Sequence, residues 1–485
     1  MNPTSPRSGG ALPATASQSQ RRLSPVRTPV TRRRLFAAGA ATVPVVAAAC
    51  DTTRSTPTTA QATVQPRAAA QPAAGRTVDK TQKDELTWFV WSSDAGARKE
   101  AYDTMQKRFN EQFPNVTVQR VTGGGTLQGV MDKLVTMLSS DTRVDIVGVA
   151  PDVLPVYAER LNALKDLREF LRVDTVLKES DHADGVIDAH VWKGKLYALP
   201  VGMATNHACL NLTLLEEKGI APPGPDWTLD QALDIARRTT VRRTSDEDST
   251  WGFYQFWHGV PRFLYSWIRG NGGDPLTPNE SPTTSRWSSD PETIKTVQWL
   301  VDLSQKSGVM PATPVGGSWG AFREGRGVIS VMETNNLSSN PPAPGTAEFK
   351  WDVQHLPSMP RGRYYPNWGF SYGVAAKTKN PDVTWELYKQ IVGPAGQTTW
   401  FEQAKFAPSI KSVLNGAYLQ DKNPPGNKKA IVESILASKP MPKSLHWLEI
   451  NDIVSEVLTK VRASEVAVND GLADIDRRLT AVLKT

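Results

Sequence analysis

The stretch from Lys195 to Ile220, KLYALPVGMATNHACLNLTLLEEKGI, changes character twice. Leu196–Val201 is a short apolar run broken by Pro200, as at the end of a strand. Leu212–Gly219 carries apolar residues at helical spacing and stops at Gly219-Ile220. Between them Gly202–Asn206 is small and polar. A chain that stays in one domain turns back at such a patch, whereas a chain that passes between two domains runs straight through it. The flanking sequence decides which.

Upstream, strand and helix patterns alternate. LTWFVWSSD (residues 86–94) reads as a strand with a polar exit, and 95–114 as a helix stopped by Pro114. A strand over 116–125, a helix over 127–140, a buried strand over 144–152 and a helix over 154–171 follow. This alternation predicts a three-layer α/β lobe with a largely parallel sheet. Ligands meet such sheets at the carboxyl ends of the strands, here Trp91–Asp94 and Ala150–Asp152. Downstream a second set appears. Thr228 is an N-cap before an amphipathic helix, 249–257 reads as a strand, and a helix ends at Asn271-Gly272-Gly273. Another helix opens at Asp290-Pro291 and closes at Gly308.

A length of 485 residues exceeds one ordinary core. The net charge of +7 invites a nucleic-acid reading until it is located. Residues 1–49 hold seven arginines and no acid, so the remainder carries 49 basic and 49 acidic residues. The body is neutral, and no nucleic-acid partner is expected. The leader TRRRLFAAGAATVPVVAAAC sets Arg32-Arg33 before a mild apolar segment of 15 residues, short for a membrane span. It resembles a twin-arginine export signal. AAAC at Ala47–Cys50 resembles a lipoprotein cleavage box with Ala47 in place of the usual Leu; the bland alternative is cleavage at an A-x-A site with Cys50 incidental. Residues 50–84, rich in Thr, Ala, Gln and Pro and free of aromatics, read as a disordered tether. If Cys50 is lipidated, Cys209 remains as an unpaired, small buried hydrophobe.

The order of the pieces carries a resemblance. WKGKLYALPVG…LNLTLLEEKGI, PPGPDWTLDQALDIA, WIRGNGGDPL, PETIKTVQWLVDLSQKSGVMP, AFREGRGVISVMETNN and PNWGFSYGVAAKTKNPDVTWELYKQIVGPAGQ follow one another as in the extracellular solute-binding proteins of sugar-type ABC importers, the maltose-binding-protein-like group. The resemblance covers most of residues 85–480. It implies an α/β, two-lobed periplasmic-binding-protein fold (a Venus flytrap), each lobe a three-layer α/β/α sandwich, joined by about three hinge crossings. On this reading Pro200–Asn206 is the first crossing, and the others map near Met332–Asn336 and Gly373–Ala376. Lobe 1 is then 85–203 with 334–374, and lobe 2 is 204–333 with 375–485. The resemblance also implies a carbohydrate guest, oligosaccharide or sugar derivative, delivered to the transmembrane permease subunits by a monomer with no cofactor and no catalysis.

Sugars show apolar C–H faces between hydroxyls, so stacking aromatics flanked by amides and carboxylates suit them. Trp91, Trp257, Trp319 and Trp368 sit beside Gly, Ser, Asn or Asp in loops, and the family commonly places a stacking aromatic at Trp368. Asp94, Asp145, Asp152, Asn206, Asn271 and Asn335 are the polar candidates; loop capping is the alternative role for each asparagine. Two other classes stay open. GGSWG at Gly316–Gly320 matches the hydrolase nucleophile pattern, but the prolines of MPATPV before Ser318 suit a loop rather than the required strand, and glycoside hydrolysis would need paired carboxylates. Adjacent Tyr364-Tyr365 are the ligand type of ferric-ion binders sharing this fold, here without an evident His/Glu set. A sensor or scaffold module of the envelope is the third possibility. No metal motif is present. Replacing Cys50 by Ser is expected to release the protein from membranes into the soluble fraction; retention of the variant on membranes would remove the lipid anchor.

Overall fold

The computed structural model describes residues 78–90, 94–124, 127–140, 142–255, 261–313, 315, 320–334, 337 and 346–484. The leader, Cys50 and most of the tether lie outside them. The strands of the two main sheets are, in chain order, β1 (Asp84–Val90), β2 (Val116–Thr122), β3 (Ile146–Val149), β4 (Leu199–Ala204), β5 (Asn206–Asn211), β6 (Trp251–Gln255), β7 (Gly327–Glu333), β8 (Trp351–Gln354), β9 (Pro366–Val374) and β10 (Lys439–Pro440). The first sheet has six strands in the order β10-β9-β3-β1-β2, with β4 on β9; the second has four in the order β8-β5-β7-β6.

Alternation along β1 builds the first lobe's layers. Leu86, Trp88 and Val90 pack with Tyr102, Met105 and Phe109 of the helix Gly96–Gln112 and with Trp385, Tyr388 and Trp400 of the helices Pro381–Val392 and Pro394–Ala404. Phe89 faces the other way, onto Val130, Met131 and Leu134 of the helix Leu127–Ser139. Both faces are covered, so β1 is buried continuously from Leu86 to Val90, Thr87 included, as parallel strands are. In the second lobe the helix Pro261–Asn271 packs on Pro291–Gln305 and Trp447–Arg462, and the last of these on Val468–Val482. The expected caps are formed: Thr228 and Gln231 make a reciprocal capping box, and Asp290 Oδ1 accepts the Thr293 N–H at 2.7 Å. Cys209 is a free, buried thiol whose pKa burial raises.

The opening stretch does run through. β4 pairs in the first sheet and β5 in the second, with Thr205 alone between them. The other passages differ from expectation. β8 pairs antiparallel with β5, so part of 334–374 lies in the second sheet, and the return to the first sheet falls between Gln354 and Pro366. Gly373–Ala376 is no crossing: β9 ends there in the first sheet, and the Ala375 N–H donates to the Asp145 carbonyl. The helices 381–392 and 394–404 cover the first sheet, although 375–485 was assigned to lobe 2. The chain leaves the first sheet again after β10, where Lys443 is pinned between the Asp188 carbonyl, at 2.9 Å, and the backbone of Asn279. The sequence pattern misleads here because a strand's own residues do not say which sheet it joins.

The helix expected over 154–171 is broken. Asn162 has φ of 45°, Leu164 bridges Ala375, and the Leu167 N–H donates to the Leu196 carbonyl. Backbone pairing with neighbouring segments displaces the intrahelical ladder.

Asp145, proposed above as a ligand contact, is a structural hub. It precedes β3, at the end of the strand opposite its exit loop. Its side chain is fully buried and accepts from Thr87 N–H at 2.8 Å, Arg143 Nε at 2.8 Å and Thr378 Oγ1 at 2.6 Å. Removing such a carboxylate strands three donors, one of them charged. Asp145→Ala is expected to lower stability by about 3–5 kcal/mol, read by urea denaturation. A loss below about 1 kcal/mol would show that the hub is dispensable.

Candidate functional site at the lobe boundary

Register fixes what meets at the first sheet's inner edge. β9 runs antiparallel to β3 with Ser371 opposite Val149, so Trp368 and the turn that holds Asp152 both lie beyond that end of the pairing. β1 runs parallel to β3 with Phe89 opposite Val147, and its exit loop shares that edge. Trp368 is also opposite Ala204 on β4, and Asn206 on β5 is opposite Glu333 on β7. With only Thr205 between Ala204 and Asn206, Trp368 of one sheet is brought to Glu333 of the other. The indole Nε1 donates to Glu333 Oε2 at 2.6 Å. A close approach supports this register: a Cβ on Gly369 would lie 2.1 Å from the Gly202 carbonyl oxygen, so only glycine fits.

The second lobe adds the start of the helix Pro261–Asn271. The Arg262 guanidinium lies over the Trp368 ring, 5.1 Å from its centroid, and Arg262 Nη2 is 3.4 Å from Asp152 Oδ2. Phe263 meets Trp368 edge-on at 6.0 Å. Asn206 Nδ2 donates to the Arg262 carbonyl at 3.2 Å and to Ser266 Oγ at 2.8 Å, which ties the helix start to the crossing. Asn206 Oδ1 and the Tyr157 hydroxyl are buried without hydrogen-bond partners. Leaving such groups unpaired costs about 1–3 kcal/mol each. Sites at which a guest supplies the partner are where such a cost is tolerated.

Of the residues singled out from sequence, Trp368, Asp152 and Asn206 come together here. Asp94 sits at the same edge, past β1, where its Oδ2 accepts from Arg120 Nε at 2.9 Å and its Oδ1 is buried without a partner. Asn271 does not join them. It closes its helix nine residues beyond Arg262, roughly 13 Å along the axis at 1.5 Å per residue. Trp91, Trp257, Trp319 and Asn335 lie outside the described residues, as does Ser318. Arg262, Phe263 and Glu333 were missed. In sequence each is an ordinary surface or strand-end residue, and only the pairing across Thr205 gives them a common target.

The crossing itself is a small polar knot. Thr205 N–H donates to Thr334 Oγ1 at 3.3 Å, Thr334 N–H to the Thr205 carbonyl at 3.0 Å, and His207 Nε2 lies 3.0 Å from Thr205 Oγ1 and 2.9 Å from Thr334 Oγ1. Tyr365, weighed above as a ferric ligand, does have histidine and glutamate company. His355 Nδ1 is 2.8 Å from its hydroxyl and His355 Nε2 is 3.0 Å from Glu433 Oε2. This chain fastens the second passage to the helix Lys428–Leu436. Tyr364 turns away, donating to the Pro440 carbonyl at 2.8 Å. Among the described residues no group of His, Cys, Asp and Glu is arranged to hold a metal, and no helix is long and apolar enough to cross a membrane.

Residues 104–425 match the family of bacterial extracellular solute-binding proteins. The chain belongs to that family. A galactooligosaccharide-binding protein of Bacillus subtilis is 23% identical over 368 residues, covering 73% of this chain and 81% of its own length. Among solved structures, an ABC substrate-binding protein of Listeria monocytogenes in complex with cycloalternan superposes with a TM-score of 0.71 at 20% identity, covering 83% of this chain and all of that one. A cyclic α-maltosyl-1,6-maltose-binding protein of Arthrobacter globiformis gives 0.67 at 22% identity, covering 82% and 99%. The fold of this solute-binding protein is therefore the two-lobed one expected.

Burial, with a small further push from His355, drives the His207 pKa down to about 3, and burial does the same to His182, about 3, and His190, about 4. All three titrate below the unfolded value of about 6.5. Their stabilisation is therefore complete above about pH 6.5 and is lost as pH falls toward the folded values, by up to about 1.4 kcal/mol per pH unit for each. Melting temperature is expected to fall from pH 6.5 to 4.5, and His207→Gln to flatten that slope. An unchanged slope in the variant would show that the pKa of the crossing histidine is not lowered by folding.

Proposed function

We propose that this chain captures a carbohydrate, an oligosaccharide or sugar derivative, between its lobes and presents it to the permease of an ABC importer, without chemistry on the guest. The observation that carries the reading is the set around Trp368: an aromatic ring of one lobe, carboxylates from both (Asp152 and Glu333), an arginine over the ring, and a buried unpaired oxygen on Asn206. A sugar offers what these groups lack, a C–H face for the ring and hydroxyls that both donate and accept. Groups from both lobes meet at one place, so a guest held there makes contacts that an open form cannot, and binding favours closure. The galactooligosaccharide, cycloalternan and cyclic maltosyl-maltose named for the relatives fall in the same chemical class. A micromolar receptor needs about −8 kcal/mol, within reach of stacking plus several satisfied hydrogen bonds in a preformed cleft.

The family's extracellular setting accords with the arginine-led leader. Lipidation of Cys50, a tether of residues 50–84 and action as a monomer belong to the same proposal. It also holds that the protein is a receptor and not a hydrolase.

A thermal-shift and calorimetric panel of galactotriose, maltotriose, cycloalternan, mannobiose, short peptides and ferric citrate tests the reading. Saturable sugar binding without product is expected. Trp368→Ala should weaken it roughly tenfold, the loss of one good stack, whereas Trp368→Phe should keep most of it. Because Trp368 is 4% exposed, the alanine variant will also melt earlier. Peptide or ferric binding in place of sugar would overturn the proposal, as would full sugar affinity in both variants.

A further inference from the structure

The Trp368 face that would take a sugar is covered by Arg262. We propose that Arg262 is an internal competitor for that face, and that capture requires its guanidinium to swing aside while Asp152 keeps hold of it. This inference rests on the carbohydrate reading of the cleft.

Three observations carry it. First, the guanidinium lies over a face of the ring at 5.1 Å from its centroid, while the indole nitrogen is bound to Glu333 and Phe263 makes a T-shaped contact at 6.0 Å. A pyranose stacks through its polarised C–H bonds on the same electron-rich π surface that attracts the cation, so the two occupants exclude each other. Second, the backbone of Arg262 is fixed while its side chain is not. Asn206 holds its carbonyl at 3.2 Å and, through Ser266, the next turn of the helix. The side chain beyond is 27% exposed, so it can rotate toward solvent without a large desolvation change. Third, the ion pair to Asp152 is long, at 3.4 Å and through one nitrogen only. Asp152 is nearly buried, and a buried carboxylate stripped of its cation is strongly disfavoured. A loose single-nitrogen bridge allows the guanidinium to pivot off the ring without leaving the carboxylate bare.

The arrangement also bears on selectivity. With Arg262 drawn toward Asp152, the groups closest to a stacked guest are Asp152 and Glu333. Neutral sugars are accepted there and anionic sugars are disfavoured by two carboxylates.

The test compares wild type, Arg262→Met and Arg262→Lys. Association rates come from stopped-flow tryptophan fluorescence and affinities from calorimetry, with the best-binding neutral sugar of the panel above, at low and high NaCl. Removing the competing cation should tighten binding by about threefold to tenfold, mainly through faster association. In wild type the association rate should be nearly independent of NaCl, since the bridge to nearly buried Asp152 is kept throughout and is screened little; acceleration by salt would show the bridge, and not the ring contact, to be the latch and would overturn the proposal. Arg262→Lys, which keeps the charge but lacks the flat guanidinium, should fall between. Weaker binding in both Arg262→Met and Arg262→Lys would make Arg262 a direct sugar donor and overturn the proposal, and so would an unchanged association rate in Arg262→Met. The Trp368→Ala measurement is independent of all three: intact affinity there defeats the stacking reading itself, whatever Arg262 does.

Discussion

One residue of backbone, Thr205, holds the two halves of the site in relation. Ala204 pairs with Trp368 in the first sheet and Asn206 with Glu333 in the second. Since consecutive Cα atoms are about 3.8 Å apart, the strand partners of Ala204 and Asn206 cannot be far from each other. The contact between the indole and the Glu333 carboxylate follows from that. The reciprocal bonds between Thr205 and Thr334 make the passage a continuation of paired backbone and not a free loop. Hinge elements that absorb dihedral change are short segments of this kind. Here the hinge also positions the candidate binding groups.

The two aspartates that bracket β3 show how position outranks residue type. Asp145 precedes the strand and Asp152 follows it by a few residues. At the outer end Asp145 meets Arg143, the Thr87 amide and Thr378, all of its own lobe, and serves to hold the sheet to its loops. At the inner end Asp152 meets Arg262 of the other lobe, through a long and partial bridge. A saturated, buried carboxylate cannot change partners without large cost, whereas a loosely bridged one at a boundary between moving bodies can. Only the second arrangement suits a site where a guest must come and go.

Parts of this were legible from residues alone. The alternation around β1–β3, the capping box at Thr228 and the Asp290-Pro291 helix start depend on neighbours within a few positions, and those signals are local. The passage at Pro200–Asn206 was placed by the resemblance, and the two distinct patterns that abut there support it. The second and third passages were placed by the resemblance too, and the pairing of β8 and β9 moves them, because nothing local says which sheet a strand joins. The broken segment near Asn162 and the chain Tyr365–His355–Glu433 were invisible for the same cause, since their partners (Ala375 for Leu164, Glu433 for His355) are far away in sequence and are selected by packing.

The sequence by itself determined an α/β chain with a neutral body, because periodicity, composition and the placing of charge are local or summed properties that no fold can alter; the two lobes and export followed from what its motifs resemble. Tertiary structure alone brought Trp368, Asp152 and Asn206 together in a candidate site, set Asp145 and Asn271 apart from it, and added Arg262 and Glu333. Hydrogen-bond register across two sheets joined by one residue made that choice. Register is a relation between distant strands, so a single strand's residues cannot encode it in isolation.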